Sequence, residues 1–185
     1  MVDPLDGTTN YVHDLPSYAV SIGLVVAGQV VVGVVYDPMR EELFAAGRGQ
    51  GARLNGRPLR CSSATGLPEA LLAVGFPSVL QGKEYMVEAW KEFSYQCQGL
   101  RRTASSAINL AYVAAGRLEG FFAHEICPWD IAGGMVLVEE AGGTVTNPQG
   151  ARYEPLCGES LVASNGPLQA EMLKTLNRVL PGDAR

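Results

Sequence analysis

Two aspartates near the start of the chain, Asp3 and Asp6, have the spacing to hold a hard divalent cation. They flank a proline in Met1-Val2-Asp3-Pro4-Leu5-Asp6-Gly7-Thr8-Thr9-Asn10. Pro4 fixes its own φ and biases Asp3 toward an extended conformation, and Gly7 permits a sharp bend. Two carboxylates on a stiff turn suit Mg²⁺, which takes carboxylate, water and phosphate oxygens in octahedral array. If Gly7, Thr8 and Thr9 open a helical turn, their N–H groups can hold a phosphate. A cation so placed orients a water and stabilises an in-line displacement at phosphorus. The same residues also fit an acidic turn that only caps a helix, a common use of aspartate.

A second aspartate-bearing stretch lies far along the chain, Trp129-Asp130-Ile131-Ala132-Gly133-Gly134. Ile131, Met135 and Val138 recur at helical spacing and Gly142-Gly143 stops the run, so Asp130 reads as a helix N-cap. A carboxylate there is favoured by the helix dipole and can still aim one oxygen at a cation. Gly133 and Gly134 lower helix propensity, which points to a close backbone approach.

Together these stretches resemble the two signatures of the inositol monophosphatase family of Mg²⁺-dependent, lithium-sensitive phosphatases. Residues 3–10 match the pattern DP(I/L)DGTTN and residues 129–134 match WDxAxG, in the right order, and the likeness runs on through Glu140-Ala141-Gly142-Gly143. The resemblance implies that Asp3, Asp6, Asp130 and the Leu5 carbonyl ligate metal. It implies that Gly7 and Thr8 contact phosphate, that Thr8 positions the attacking water, and that Ser105 and Ser106 line the substrate pocket. A family glutamate that reads sugar hydroxyls falls seven residues before Asp130, where this chain has Ala123; Glu125 or His124 is the candidate replacement. A further glutamate from a Gly-Glu-Glu segment ahead of the first motif completes the family site, and nothing equivalent precedes Asp3, so the resemblance implies an N-terminally truncated, incomplete site. The implied activity is hydrolysis of a small phosphorylated polyol such as inositol monophosphate by metal-activated water. Related families act on fructose 1,6-bisphosphate, nucleotide bisphosphates or histidinol phosphate. A catalytically silent, regulatory protein of the same fold is the remaining reading. A homodimer is a family expectation.

Composition narrows the partners. The chain has 185 residues, 47% hydrophobic and 18% charged, with a net charge of −5. That suits a soluble globular protein and disfavours nucleic acid as the main partner. No apolar run reaches transmembrane length and the start lacks a leader-like apolar segment, so a cytoplasmic protein without membrane association is expected. Cys61, Cys97, Cys127 and Cys157 show no metal-finger spacing and read as buried free thiols.

The elements that must position the acids read as an α/β layered sandwich: an antiparallel meander sheet, then a mixed α/β half. Residues 18–26 and 29–36 are β-branched runs broken by Ala27-Gly28, residues 41–46 return, and Asn55-Gly56 is a hairpin signal. Residues 30–35 are apolar at every position but Gly33, which predicts a strand covered on both faces. The glycines of loop 47–51 could cradle phosphate but lack the Lys-Ser/Thr of a P-loop. A small, polar stretch at 61–70 divides the chain into units at 1–65 and 66–185. Beyond it come a strand at 71–76, an amphipathic helix at 84–98 with Met86, Trp90, Phe93 and Cys97 on one stripe, and Arg101-Arg102, which either meet a phosphate or are solvated. Thr103-Ala104-Ser105-Ser106 opens a helix that Gly116 ends. Strands at 118–122, 143–146 and 161–164 and a helix from Pro167 to about Val179, ended by Pro181-Gly182, close the domain.

Overall fold

The computed structural model describes residues 1–77, 79–156, 158 and 160–180. Within them two sheets form. The first joins β1 (Val2–Asp6), β2 (Ala19–Val26), β3 (Gln29–Asp37), β4 (Glu42–Gly47), β5 (Gly51–Leu54) and β6 (Arg57–Pro58) in sequence order, every pair antiparallel. A five-residue helix, α1 (Thr8–Val12), leaves the end of β1. The second sheet has the order β10-β11-β9-β7-β8, from β7 (Leu71–Gly75), β8 (Gly99–Arg101), β9 (Gly120–Ala123), β10 (Thr144–Thr146) and β11 (Leu161–Ser164). β7 runs parallel to β8 and β9, while β11 is antiparallel to β9 and β10. The helices are α2 (Tyr85–Gln96), α3 (Ser106–Ala114), α4 (Pro128–Glu140) and α5 (Gln169–Val179). No helix among the described residues is long and apolar enough to cross a membrane.

The turns follow their chemistry. Ala27 and Gly28 both take positive φ and join Val26 to Gln29 as a two-residue hairpin, and Asn55-Gly56 does the same between β5 and β6. Asn55 also ties that corner down, accepting from the Leu43 N–H and donating to the Glu41 carbonyl.

Two buried clusters define the layers. α3 and α4 lie between the sheets: Val35 and Phe44 of the first sheet share a core with Leu110, Leu137, Phe121 and Leu161. α2 and α5 cover the far face of the second sheet, where Leu72, Val74 and Phe122 meet Phe93, Met172 and Leu176. The predicted stripe on α2 is buried at Met86 and Phe93, with Trp90 and Cys97 half-buried.

Three expectations need correction here. Residues 30–35 are not covered on both faces. Val30 and Val35 are buried against the helices, but Val32 faces out with Ile22, Leu24, Tyr36 and Leu43, all exposed, because no described element packs on that side. The acidic motif is not a free turn: Asp3 and Asp6 sit on edge strand β1, whose pairing with β2 shifts register between them. The thiols are less buried than expected, since Cys61 and Cys97 are half-buried and Cys127 is exposed. Cys157 and the Pro181-Gly182 helix stop lie outside the described residues.

α4 is the element pressed hardest into the fold. A Cβ on Gly133 would lie 2.9 Å from the carbonyl oxygens of Ile22 and Val34, and one on Gly134 would lie 2.4 Å from the Leu110 Cβ of α3. The close backbone approach expected of these glycines is made at Gly133 by the first sheet, whereas at Gly134 the close neighbour is the Leu110 side chain of α3.

Candidate metal centre

β1 delivers Asp3 and Asp6, and α4 delivers Asp130. Carboxylate oxygens of the three lie within 4.8 Å of one another. The bulge in β1 lets two residues three apart face one point, and Gly7 then turns the chain away. Its φ of 85° is left-handed, and a Cβ there would meet the Ser17 carbonyl oxygen at 2.7 Å, so only glycine fits. Thr8 and Thr9 open α1 as the motif suggested.

Asp6 is 7% exposed. Its Oδ2 accepts from the Ser105 hydroxyl at 2.5 Å and from the Ala107 N–H at 2.9 Å. Burial nonetheless outweighs these bonds and pushes its pKa from 3.8 to about 6, with the Asp3 charge adding to the rise. Asp130 is raised further, to about 7, by burial first, then by the Asp6 charge and by its hydrogen bond to Asp3. Three acids this close repel one another when ionised, and a cation between them removes that penalty.

Asp130 is not the helix cap. Cys127 holds that place and Pro128 is the first helical residue, so Asp130 is third, with its N–H on the Cys127 carbonyl at 3.1 Å. Proline fits N1 because no intrahelical bond is lost there. Asp130 remains in the first turn, where the helix dipole favours an anion.

The other named residues fall in distinct places. Asp3 accepts from the Leu5 N–H at 3.0 Å, and the exposed Thr8 hydroxyl donates to the Leu5 carbonyl at 2.9 Å. That leaves one carbonyl lone pair for a further partner. Ser105 is buried, caps α3 by accepting from the Ile108 N–H, and donates to Asp6; its hydroxyl props a carboxylate. Ser106 alone of the pair is partly exposed. Glu125 takes a left-handed conformation, φ 52°, and pairs with Lys83. His124 is held by Tyr85 Oη at Nε2 and by Ser160 Oγ at Nδ1, both at 2.6 Å. Ala123 ends β9 as a buried methyl.

Two contributors escaped sequence reasoning. The Asn10 side-chain amide donates to the carbonyls of Ser17 and Thr103, at 2.7 and 2.8 Å, locking α1 to the approach to α3. Its place inside the first motif was the available signal. Glu140, at the end of α4, accepts from the N–H groups of Gly49 and Gly51, both at 2.9 Å. The 47–51 loop is therefore an anion cradle whose anion is the protein's own carboxylate, and the phosphate alternative for it lapses.

Residues 1–180 match the sequence profile of the inositol monophosphatase family. The Nus factor SuhB of Escherichia coli strain K12 is 47% identical over 179 residues, which cover 95% of this chain and 66% of that protein. The inositol-1-monophosphatase of Mesorhizobium japonicum is 41% identical, covering 97% and 68%. Among solved structures, the extragenic suppressor protein suhB of Bartonella henselae superposes with a TM-score of 0.92 at 38% identity, over 97% of this chain and 69% of that one. Inositol monophosphatase from Anabaena (Nostoc) sp. PCC 7120 gives 0.88 at 38% identity, covering 100% and 76%. The chain thus spans about two thirds of the length of its curated relatives. Across that span, with both motifs meeting at one acidic cluster, this chain is a member of the inositol monophosphatase family.

Proposed function

We propose that the chain carries the metal-binding part of a Mg²⁺-dependent phosphomonoesterase acting on a small phosphorylated polyol such as inositol monophosphate. The observation that carries this reading is the meeting of Asp3, Asp6 and Asp130 within 4.8 Å. All are hard oxygen donors, and the raised pKa of Asp6 and of Asp130 marks a site that gains from a cation.

The three carboxylates and the Leu5 carbonyl would hold Mg²⁺, which when bound supplies Lewis-acid stabilisation of the phosphoryl oxygens and activates water. The chain's own part is positional. Ser105 and the Ala107 N–H fix one Asp6 oxygen and leave the other for a ligand. Gly7 and Thr8 at the start of α1 would meet the phosphate, with the Thr8 hydroxyl set by its bond to Leu5. Ser106, partly exposed at the start of α3, would line the substrate pocket. Among the described residues no Cys, Ser or His is set up as a nucleophile at the acids: the Ser105 hydroxyl is spent on Asp6, and burial and the nearby Asp130 and Asp3 raise the pKa of the Cys127 thiol, so hydrolysis would be direct. The Mesorhizobium japonicum relative named inositol-1-monophosphatase supports the substrate class.

The test is phosphate release from inositol 1-phosphate as Mg²⁺ is titrated. Turnover that depends on Mg²⁺ and is lost in Asp3→Asn and Asp130→Asn supports the reading, and near-normal activity in either variant overturns it.

The 47% identity to the Nus factors favours a second reading: a role in transcription that keeps the fold and the cation but not the turnover. Mg²⁺ binding without phosphate release from any phosphomonoester would favour it.

A further inference from the structure

We propose that Ser21 is a positioning residue of the acidic centre, whose hydroxyl hydrogen-bonds the Asp3 carboxylate when the three acids hold a divalent cation. The proposal rests on the cation-binding part of the reading above and says what steadies Asp3.

Ser21 lies on β2 and is fully buried, and its Oγ is a buried oxygen with no hydrogen-bond partner among the described residues. A hydroxyl shut away from water without a partner lowers stability. Alanine would pack almost as small without that loss, so packing alone gives no account of the hydroxyl.

Its position does. In the antiparallel pair of β1 and β2, Ser21 stands directly opposite Asp3. Opposed residues share a face, with Cβ atoms about 4.5–5.5 Å apart. That face is the inner one, since the next pair, Val2 and Ile22, is exposed on the outside. The wall across from Ser21 is α4. A Cβ on Gly133 would stand 2.8 Å from Ser21 Oγ. Gly133 follows Asp130 by three residues on α4, so the two share one side of the helix. The hydroxyl is therefore lodged between β2 and α4, beside Asp3 and one helical turn along from Asp130.

The acids are unequally supported. Asp6 Oδ2 accepts from both the Ser105 hydroxyl and the Ala107 N–H. Asp130 sits in the first turn of α4, where the helix dipole favours an anion. Asp3 has one main-chain donor, the Leu5 N–H at 3.0 Å, and otherwise leans on Asp130. Carboxylates gathered round one cation point at it and not at each other, so Asp3 then needs another donor to fix its direction. Ligating carboxylates are themselves hydrogen-bonded for this reason. Ser21 is the unengaged donor on Asp3's own face, the counterpart on β2 of Ser105 at the start of α3. At their Cβ separation, rotation about side-chain bonds alone brings hydroxyl and carboxylate into range, with the backbone unmoved.

The experiment is calorimetric titration of Mg²⁺ into the parent chain and Ser21→Ala in one buffer, with thermal unfolding of each in the absence of Mg²⁺. The expected result is about tenfold weaker binding by Ser21→Ala, the lower end of what such outer contacts contribute. The metal-free melting temperature should be no lower than the parent's, because the variant loses only an unpartnered hydroxyl. A hydroxyl that serves only the fold would move the second measurement and not the first. Weakening of fivefold or more at an unreduced melting temperature supports the proposal, and weakening of less than fivefold overturns it. If the melting temperature falls, Ser21→Cys decides, because its thiol refills the space but donates feebly. Binding by Ser21→Cys that stays at least fivefold weaker than the parent's supports the proposal, and binding closer to the parent's overturns it. A parent that binds no Mg²⁺ overturns the cation reading and this proposal with it, whereas a parent that binds Mg²⁺ no differently from Ser21→Ala overturns this proposal alone.

Discussion

Asp6 and Asp130 hold protons more tightly in the folded chain than they would unfolded, with pKa values of about 6 and about 7 against 3.8. The sign follows: without a cation these acids cost the folded state stability as pH rises above 3.8, and that cost is complete above about 7. For the deeply buried Asp6 alone the shift corresponds to roughly 3 kcal/mol. A bound cation requires both to ionise, so binding near pH 6.5 releases protons and binding at pH 9 does not. Calorimetry of Mg²⁺ binding in two buffers of different ionisation enthalpy measures this directly, and equal heats in both at pH 6.5 would contradict it. Asp6→Asn keeps acceptors for Ser105 and Ala107 while removing the charge. It should raise the melting temperature of the metal-free chain at pH 8 and abolish the further rise that Mg²⁺ gives the parent. Ala104, just before Ser105, takes φ 60°, a conformation that costs a residue with a Cβ about 1–2 kcal/mol and glycine little. Ala104→Gly should therefore stabilise the chain by about 0.5–1 kcal/mol after glycine's extra unfolded-state entropy, read from urea unfolding. The acids themselves were legible because each lies in a contiguous motif. The second duty of Ser105 was not: its hydroxyl reads locally as an N-cap, and its bond to Asp6 joins residues that only the folded chain brings together.

At the scale of elements, the position of Asp130 depends on how closely α4 lies against the first sheet. Gly133 allows that contact, since a methyl there would sit 2.8 Å from Ser21 Oγ and 2.9 Å from two strand carbonyls. Backbone cannot move aside as a flexible side chain can, so Gly133→Ala should cost about 1–3 kcal/mol and displace α4 outward. Urea unfolding gives the first effect. The second appears as weaker Mg²⁺ binding, because Asp130 moves with its helix while Asp3 and Asp6 stay on β1. The far end of α4 is held as well, by Glu140 in the 47–51 cradle and by Glu139 on Arg48 at 2.6 Å. The hairpins at Ala27-Gly28 and Asn55-Gly56 were readable because turn chemistry is local. β1 was hidden because Asp and Pro are poor strand residues, and its pairing with β2 is a contact between segments separated by α1. The occupant of the 47–51 cradle was hidden for a related reason: its glycines advertise an anion, but the carboxylate that fills it is far away in sequence.

Across the whole molecule, the outer face of the first sheet is the one large surface that no described element covers. The outer face of the first sheet presents Val2 opposite Ile22, Leu24 opposite Val32, and Tyr36 opposite Leu43. Directly opposed residues share a face, and these six are between 37% and 57% exposed, together on the order of 500 Å² of apolar-residue surface, near the upper end for a monomer. The helices on the inner face explain why this pattern misled: a strand rich in valine at both parities looks doubly covered whether or not a second cover is present. Two such faces brought together would bury about 1,000 Å², the lower end of a specific interface. The 185-residue chain should therefore self-associate as its concentration rises and bind an apolar fluorescent dye. Leu24→Lys combined with Leu43→Glu should reduce both while leaving the Mg²⁺-induced rise in melting temperature intact, since neither residue touches the acids. Light scattering across a concentration series decides the matter. A parent chain that stays monomeric into the hundred-micromolar range and leaves the dye dark would mean that this face is tolerated by water. The exposed valines and leucines would then be scattered surface residues rather than a joined apolar surface.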